Sequence, residues 1–379
     1  MKKKLLYVVT TPFSVNSALL SHVKYLSEYY DICLCTNLHV GELKKDIYDC
    51  CVVRHIDIER KISIICDVKA LMQIIIIITK FSPDAVHSLT PKAGLLAMTA
   101  GFLKRVPFRF HTFTGQVWAN AQGSWRIFLK LFDKIIALLA TNIFTDSHSQ
   151  CDFLRKEKII GHKNISVLGE GSIAGVDLNR FFPSTEIKKA VREQNLISIE
   201  DIVFNFVGRL AHDKGIFDLI DAFKIVNNQH KNTRLIIVGP DDDNILPLLM
   251  ERSSEIAHRI LWVGNSSVPE NYNQAADILV LPSYREGFST VIIEAAACGV
   301  PAIGYAVNGI NDPIVDGETG ILVEKGNVQE LAKTMLNLSI DKAEIKKLGN
   351  NARVRVEQSF KDIFVSESWL AMYKKSVGG

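Results

Sequence analysis

Short runs of consecutive apolar residues alternate with longer stretches in which apolar positions recur every three or four residues. Residues 5–9, 32–35, 85–87, 108–111 and 142–145 have the unbroken apolar character of strands buried on both faces. Between them, 17–29, 68–81 and 92–104 carry the helical period. Strict alternation of strand and helix predicts βαβ units and a parallel sheet covered on both sides.

The alternation pauses over 169–183, which holds Gly169, Gly171, Gly175 and Pro183 without clear periodicity and reads as a connection. A second series follows, with strands expected at 202–207, 235–238, 260–263, 278–281 and 302–305, and helices at 216–228, 244–255, 290–298, 328–338 and 342–358. The expectation is two doubly wound α/β domains, 1–168 and 169–358, with 359–379 as a C-terminal helix packing back on the first domain. Such sheets bind ligands beyond the C-terminal ends of their strands, so an interdomain cleft lined by those loops is expected to hold the site.

Composition agrees with this picture and narrows it. At 379 residues the chain is about twice the usual domain size. Its 47% hydrophobic and 22% charged content argues against disorder. Seven scattered cysteines form no metal-ligand spacing, which suits a reducing, cytoplasmic compartment. Apolar stretches are too short or too interrupted to span a bilayer, and the opening Lys2-Lys3-Lys4 with residues 5–9 is cut short by Thr10-Thr11-Pro12, unlike a signal peptide.

The net charge of +3 conceals an asymmetry. Residues 1–168 carry 22 Lys and Arg against 13 Asp and Glu, the remainder 22 against 28. The basic half is the one suited to an anionic partner. Within it, 122–139 spaces Arg126, Lys130 and Lys134 at four-residue intervals on an otherwise apolar helix. That pattern fits contact with an anionic membrane or an acceptor's phosphates, and equally an ordinary helix with one solvated face. No basic run is interleaved with stacking aromatics, so a nucleic-acid partner is not expected.

Two loops carry chemistry. After the strand 202–207 comes Gly208-Arg209-Leu210-Ala211-His212-Asp213-Lys214-Gly215, where a guanidinium and an ammonium five residues apart can converge on one diphosphate beside a helix N-terminus. It is neither a P-loop nor GxGxxG. After 278–281 comes Pro282-Ser283-Tyr284-Arg285-Glu286-Gly287-Phe288-Ser289-Thr290, then an apolar helix with Glu294 expected two turns in. The N–H groups of 288–291 are expected to form a helix-terminal anion site. Two carboxylates roughly 12 Å apart, if both were helical, exceed the separation of a hydrolase's acid/base pair and suit the two ends of one extended ligand. Sugar, diphosphate and ribose describe a nucleotide-sugar.

These residues, with Gly299-Val300-Pro301, 309–317 and 319–323, resemble the retaining glycosyltransferases of family 4, which have the GT-B fold. The segments 111–118 and 170–177 are similar to the bacterial CapM-like and PglA-like branch that builds capsule, O-antigen and glycan-lipid saccharides. The resemblance implies that Arg209, Lys214 and Gly208 hold the diphosphate of a donor, UDP-linked in the leading reading, and that Glu294 holds its ribose. It places Glu286 and the backbone of Gly287, Phe288, Ser289 and Thr290 beside the donor sugar, and presents His111 to that sugar near the reacting bond. The implied acceptor is a polyprenyl-diphosphate-linked saccharide, met at the inner face of the membrane.

One departure is visible: the turn after the first strand, 10–16, lacks the glycines common in the family. Asp241-Asp242-Asp243 precedes a helix and reads as a turn and N-cap cluster ahead of a metal site, and no metal or other cofactor is expected. The rival readings are a sugar-nucleotide enzyme of the same fold, such as a UDP-GlcNAc 2-epimerase, and a catalytically silent nucleotide-sugar-binding protein.

Overall fold

The computed structural model describes residues 2–59, 63–161 and 163–378. They form two compact units, 1–175 with 362–379, and 176–361.

In the first unit the strands are β1 (Lys3–Val8), β2 (Tyr30–Thr36), β3 (Val52–His55), β4 (Ala85–Leu89), β5 (Phe108–Phe113), β6 (Asn142–Thr145) and β7 (Ile165–Val167). The helices are α1 (Pro12–Ala18), α2 (Leu20–Leu26), α3 (Lys45–Cys50), α4 (Ile64–Phe81), α5 (Pro91–Leu103), α6 (Gly123–Leu139) and α7 (His148–Lys156). All strand pairs are parallel, in the order β3-β2-β1-β4-β5-β6-β7. The order reverses direction between β1 and β4, and there the loops after those strands meet: Thr10 Oγ1 lies 2.6 Å from Thr90 Oγ1.

The single helix expected over 17–29 is instead two. Thr11 caps α1 by accepting the N–H of Ser14, and Pro12 opens the helix with its φ already set. The chain then restarts at Leu20 after a distorted Leu19.

The second unit contains β8 (Ile202–Val207), β9 (Thr233–Val238), β10 (Ile260–Gly264), β11 (Ile278–Leu281), β12 (Ala302–Tyr305) and β13 (Gly320–Val323). Its helices are α8 (Thr185–Gln194), α9 (Ile216–Gln229), α10 (Leu246–Arg252), α11 (Pro269–Ala275), α12 (Thr290–Ala297), α13 (Val328–Ile340) and α14 (Lys342–Ser359). Again all pairs are parallel, ordered β10-β9-β8-β11-β12-β13. β8, β9, β11 and β12 are buried almost throughout, as their unbroken apolar runs require, while the edge strand β10 is only partly covered.

The last helix, α15 (Asp362–Ser376), belongs to the first unit. A buried polar network fastens it. Tyr373 OH lies 2.7 Å from Tyr7 OH and contacts His87 Nδ1, while His87 Nε2 lies 2.9 Å from Thr112 Oγ1. His22 joins Ser366 on this helix to the carbonyl of Ile173. Among the described residues no helix is long and apolar enough to cross a membrane.

Candidate functional site

The sheet order of the second unit explains why two motifs distant in sequence lie together. β8 sits between β9 and β11, so the order reverses at β8/β11 and the loops following these two strands flank one switch point. The first loop carries Arg209 to Gly215, the second Pro282 to Ser289. Gly215 makes the approach possible: it has φ +66, and a Cβ there would stand 1.9 Å from the carbonyl oxygen of Pro282.

Charges then pair across the two loops. Lys214 Nζ lies 2.6 Å from Glu286 Oε1, with both side chains mostly buried. Arg285 Nη2 is 3.3 Å from Asp213 Oδ2, and the N–H of Tyr284 donates to the carbonyl of Asp213 at 2.8 Å. Arg209 is held only loosely, 3.9 Å from Asp213 Oδ1, and is about one-third exposed. Tyr284 and Tyr305 both donate to Asp218 Oδ2, at 2.6 and 2.7 Å, and this pushes the Tyr284 hydroxyl up to about 12. Asp218 lies in the first turn of α9, so one carboxylate ties the loop after β11 and the end of β12 to the helix that follows the loop after β8.

α12 begins at Thr290, which places Glu286 in the loop before it and Glu294 as the fifth helical residue, one turn in and not two. The backbone N–H of Ser289 is not free: it donates to the carbonyl of Gly309 at 2.9 Å. What the start of α12 can offer an anion is the N–H groups of Thr290 and Val291, since that of Ile292 turns back to the carbonyl of Ser289 at 3.3 Å. Phe288 turns its ring into the core against Phe360, centroids 5.4 Å apart, so only its backbone serves the loop. Gly309 backs the loop so closely that a Cβ would stand 2.3 Å from the oxygen of Gly287.

Burial pushes the Glu294 carboxyl up to about 7, with Arg180 acting against the rise and Glu270 adding to it. Arg180 in turn pairs with Glu270 in the first turn of α11 at 2.7 Å. Neither Arg180 nor Glu270 stood out in the sequence, because nothing in their spacing connects them to Glu294.

His111 sits in β5 of the first unit, fully buried. Its Nδ1 lies 2.9 Å from Ser88 Oγ on the neighbouring β4, and its Nε2 has no partner. Burial lowers its pKa to about 3, so the ring is neutral. Gly94 of α5 leaves room for it, since a Cβ there would fall 2.4 Å from the imidazole Cε1. Two further buried polar atoms without partners, Gln116 Oε1 and Gln150 Nε2, belong to segments following β5 and β6. Unmatched buried groups of this kind are rare, which makes these three candidates for meeting a ligand. Gln150 was not legible beforehand.

Asp241 accepts the N–H groups of Ile245 and Leu246 at 2.8 and 3.0 Å, which spends it on the turn into α10. Among the described residues, His39, His55 and Asp57 form the one cluster of metal-ligating types. His55 Nδ1 accepts the N–H of Leu38, so Nε2 carries the proton and donates to Asp57, which also takes Lys69 and Gln73. His55 and Asp57 are thus already engaged with each other and with Leu38, Lys69 and Gln73.

Comparison with known proteins follows the same lines. Residues 187–355 match the family of glycosyl transferases group 1. The chain is 32% identical to the capsular polysaccharide biosynthesis glycosyltransferase CapM of Staphylococcus aureus over 88% of its length and 87% of that protein's. It is 27% identical to the UDP-Gal:alpha-D-GlcNAc-diphosphoundecaprenol alpha-1,3-galactosyltransferase of Escherichia coli, covering 79% and 78%. The crystal structure of Anabaena HepE in complex with UDP and glucose superposes with a TM-score of 0.80 at 18% identity, covering 98% of this chain and all of that one. The chain belongs to the group 1 glycosyltransferases and has the GT-B fold.

Proposed function

We propose that this glycosyltransferase moves a hexose or N-acetylhexosamine from a UDP-linked donor to a polyprenyl-diphosphate-linked saccharide, in the assembly of a cell-surface polysaccharide. The observation that carries the reading is the meeting of Lys214 and Glu286 at the β8/β11 switch point, with Arg209 loosely held beside them. Support for the acceptor class comes from the Escherichia coli relative, whose name describes a diphosphoundecaprenol substrate. Seven cysteines without a disulfide suit the reducing cytoplasm where such donors are made.

In this reading Arg209, Lys214 and the first turn of α12 take up the negative charge of the departing diphosphate, the largest demand of the reaction. Glu286 holds Lys214 in place before the donor arrives and then lies next to the donor sugar. Glu294 accepts the ribose hydroxyls, which a carboxylate can do in bidentate fashion. His111 offers the sugar its Nε2, which has no hydrogen-bond partner among the described residues.

The anomeric configuration is retained. The bond from C1 to the diphosphate oxygen breaks, the acceptor oxygen bonds to C1 on the same face, and the acceptor proton passes to the departing phosphate. With that charge met by Arg209, Lys214 and backbone N–H groups, the reaction needs no metal ion. The test is a UDP-release screen over UDP-Glc, UDP-Gal, UDP-GlcNAc and UDP-GalNAc, with and without a polyprenyl-diphosphate-linked saccharide. Acceptor-dependent release from one of them is expected; release from none, or release indifferent to acceptor, rejects the reading.

A further inference from the structure

We propose that the outward faces of α4 and α6 rest on an anionic lipid bilayer. The inference builds on the lipid-linked acceptor proposed above and says where the first unit meets its lipid.

α5 lies between α4 and α6 and packs against both, so the three form one layer over the sheet. α4 buries Ala70, Ile74 and Ile78, yet its opposite face is also apolar: Ile65, Val68, Met72 and Ile76 all point to solvent, Ile65 at 83% exposure. A helix on the surface of a water-soluble domain normally turns polar residues outward. α6 behaves alike, exposing Ile127 at 72%, Leu131 and Leu138. Apolar faces on two neighbouring helices go beyond scattered exposed residues and mark a contact surface.

Charge identifies what covers it. The three helices contain two acidic residues, and both are spent internally: Asp67 on Lys92 at 2.8 Å and Asp133, nearly buried, on the indole N–H of Trp118 at 2.7 Å. The basic stripe expected on α6 is redirected as well. Arg126 and Lys130 both pair with Glu157, at 2.9 and 2.6 Å, and lie over the Trp118 ring. Among the described residues, Lys80, Lys104 and Lys134 are left exposed with no ion pair. The acidic neighbours Asp57 and Glu157 are each paired with cations of α4 and α6, so the charges these helices themselves leave exposed around the apolar face are positive, which matches lipid tails beneath anionic headgroups. A second copy would instead set these lysines against each other. The helices run opposite to the strands, so the N-terminal ends bearing Ile65 and Ile127 lie at the edge of the unit where β5 delivers its following loop. A bilayer there brings a lipid-linked saccharide to the end of the first unit that His111 serves.

The test is co-sedimentation of the full chain with vesicles of phosphatidylglycerol and phosphatidylcholine, against phosphatidylcholine alone, using wild type and the triple variant Met72→Asp, Ile127→Asp, Leu131→Asp. Thermal unfolding and UDP affinity are measured on the same samples. Wild type should bind the anionic vesicles, and the variant should bind at least about tenfold more weakly, with melting and UDP affinity unchanged. Lys80→Ala with Lys134→Ala should weaken binding chiefly at low salt. Equal binding by wild type and triple variant, or no binding by wild type, overturns the proposal, as does a wild-type dimer that the variant disperses. Vesicle binding without UDP affinity would leave the surface standing and remove the donor reading instead; UDP affinity without vesicle binding would do the reverse.

Discussion

Lys214 Nζ and Glu286 Oε1 lie 2.6 Å apart although 72 residues separate them in sequence. The cation belongs to the loop after β8 and the carboxylate to the loop after β11, so the contact locks together two motifs that the sheet order makes neighbours. In the proposed reading, a donor diphosphate arriving at this point would meet an ammonium already fixed in direction, which lowers the ordering cost of binding.

Lys214→Ala strands a carboxylate mostly out of water and should cost about 3 kcal/mol of stability in the second unit. It should also remove roughly 3 to 4 kcal/mol of transition-state stabilisation. Adding Glu286→Gln should restore much of the stability and none of the activity. Denaturant unfolding and kcat/KM on the single and double variants separate the two effects; activity returning with stability would reduce Lys214 to a structural residue.

Arg209→Ala makes the contrasting case. Its guanidinium is 3.9 Å from its acidic neighbour and partly exposed, so stability should change by no more than about 0.5 kcal/mol. Turnover should nevertheless fall by roughly a hundredfold or more. Paired melting curves and rates decide it.

Glu294 gives a dependence on pH. Its folded carboxyl titrates at about 7, above the ordinary range, so between about 4.5 and 7 the folded state holds a proton the unfolded state has released. Stability should therefore fall as pH rises through that window and level off above it. UDP affinity should run the other way and rise through pH 7 as the carboxylate forms. Glu294→Gln should flatten both profiles, measured by urea unfolding and UDP titration from pH 5 to 8.5.

Tyr373→Phe removes the hydroxyl shared by Tyr7 and His87 and leaves both buried groups short of a partner. A loss of about 1 to 3 kcal/mol is expected in the first unit, with UDP affinity unchanged. A variant as stable as wild type would show that the Tyr373 hydroxyl adds nothing to what holds α15.

The alternation of β and α was legible because strands buried on both faces have no polar positions to obscure them: β8, β11 and β12 fall where the apolar runs lie. β3 and β7 were not, since an edge strand such as Val52–His55 is half exposed and only four residues long. Thr11-Pro12 carries the start signal of α1, a capping hydroxyl before a proline, but the apolar period downstream is the stronger local signal and masks it. At the candidate site, Arg209, Lys214, Glu286 and Glu294 could be singled out because each lies in a loop or helix of unusual composition. Asp213, Arg180 and Glu270 could not. Their importance lies in what they face, which the order of strands in the sheet determines and local spacing does not.

The most direct test is a crystal structure of the chain soaked with UDP. The account predicts the diphosphate within about 3 Å of Arg209 and Lys214, the ribose hydroxyls on Glu294, and the Lys214 to Glu286 contact shared with or yielded to a phosphate. UDP bound away from the loops after β8 and β11, or a Lys214 to Glu286 pair untouched beside a bound nucleotide, would contradict it.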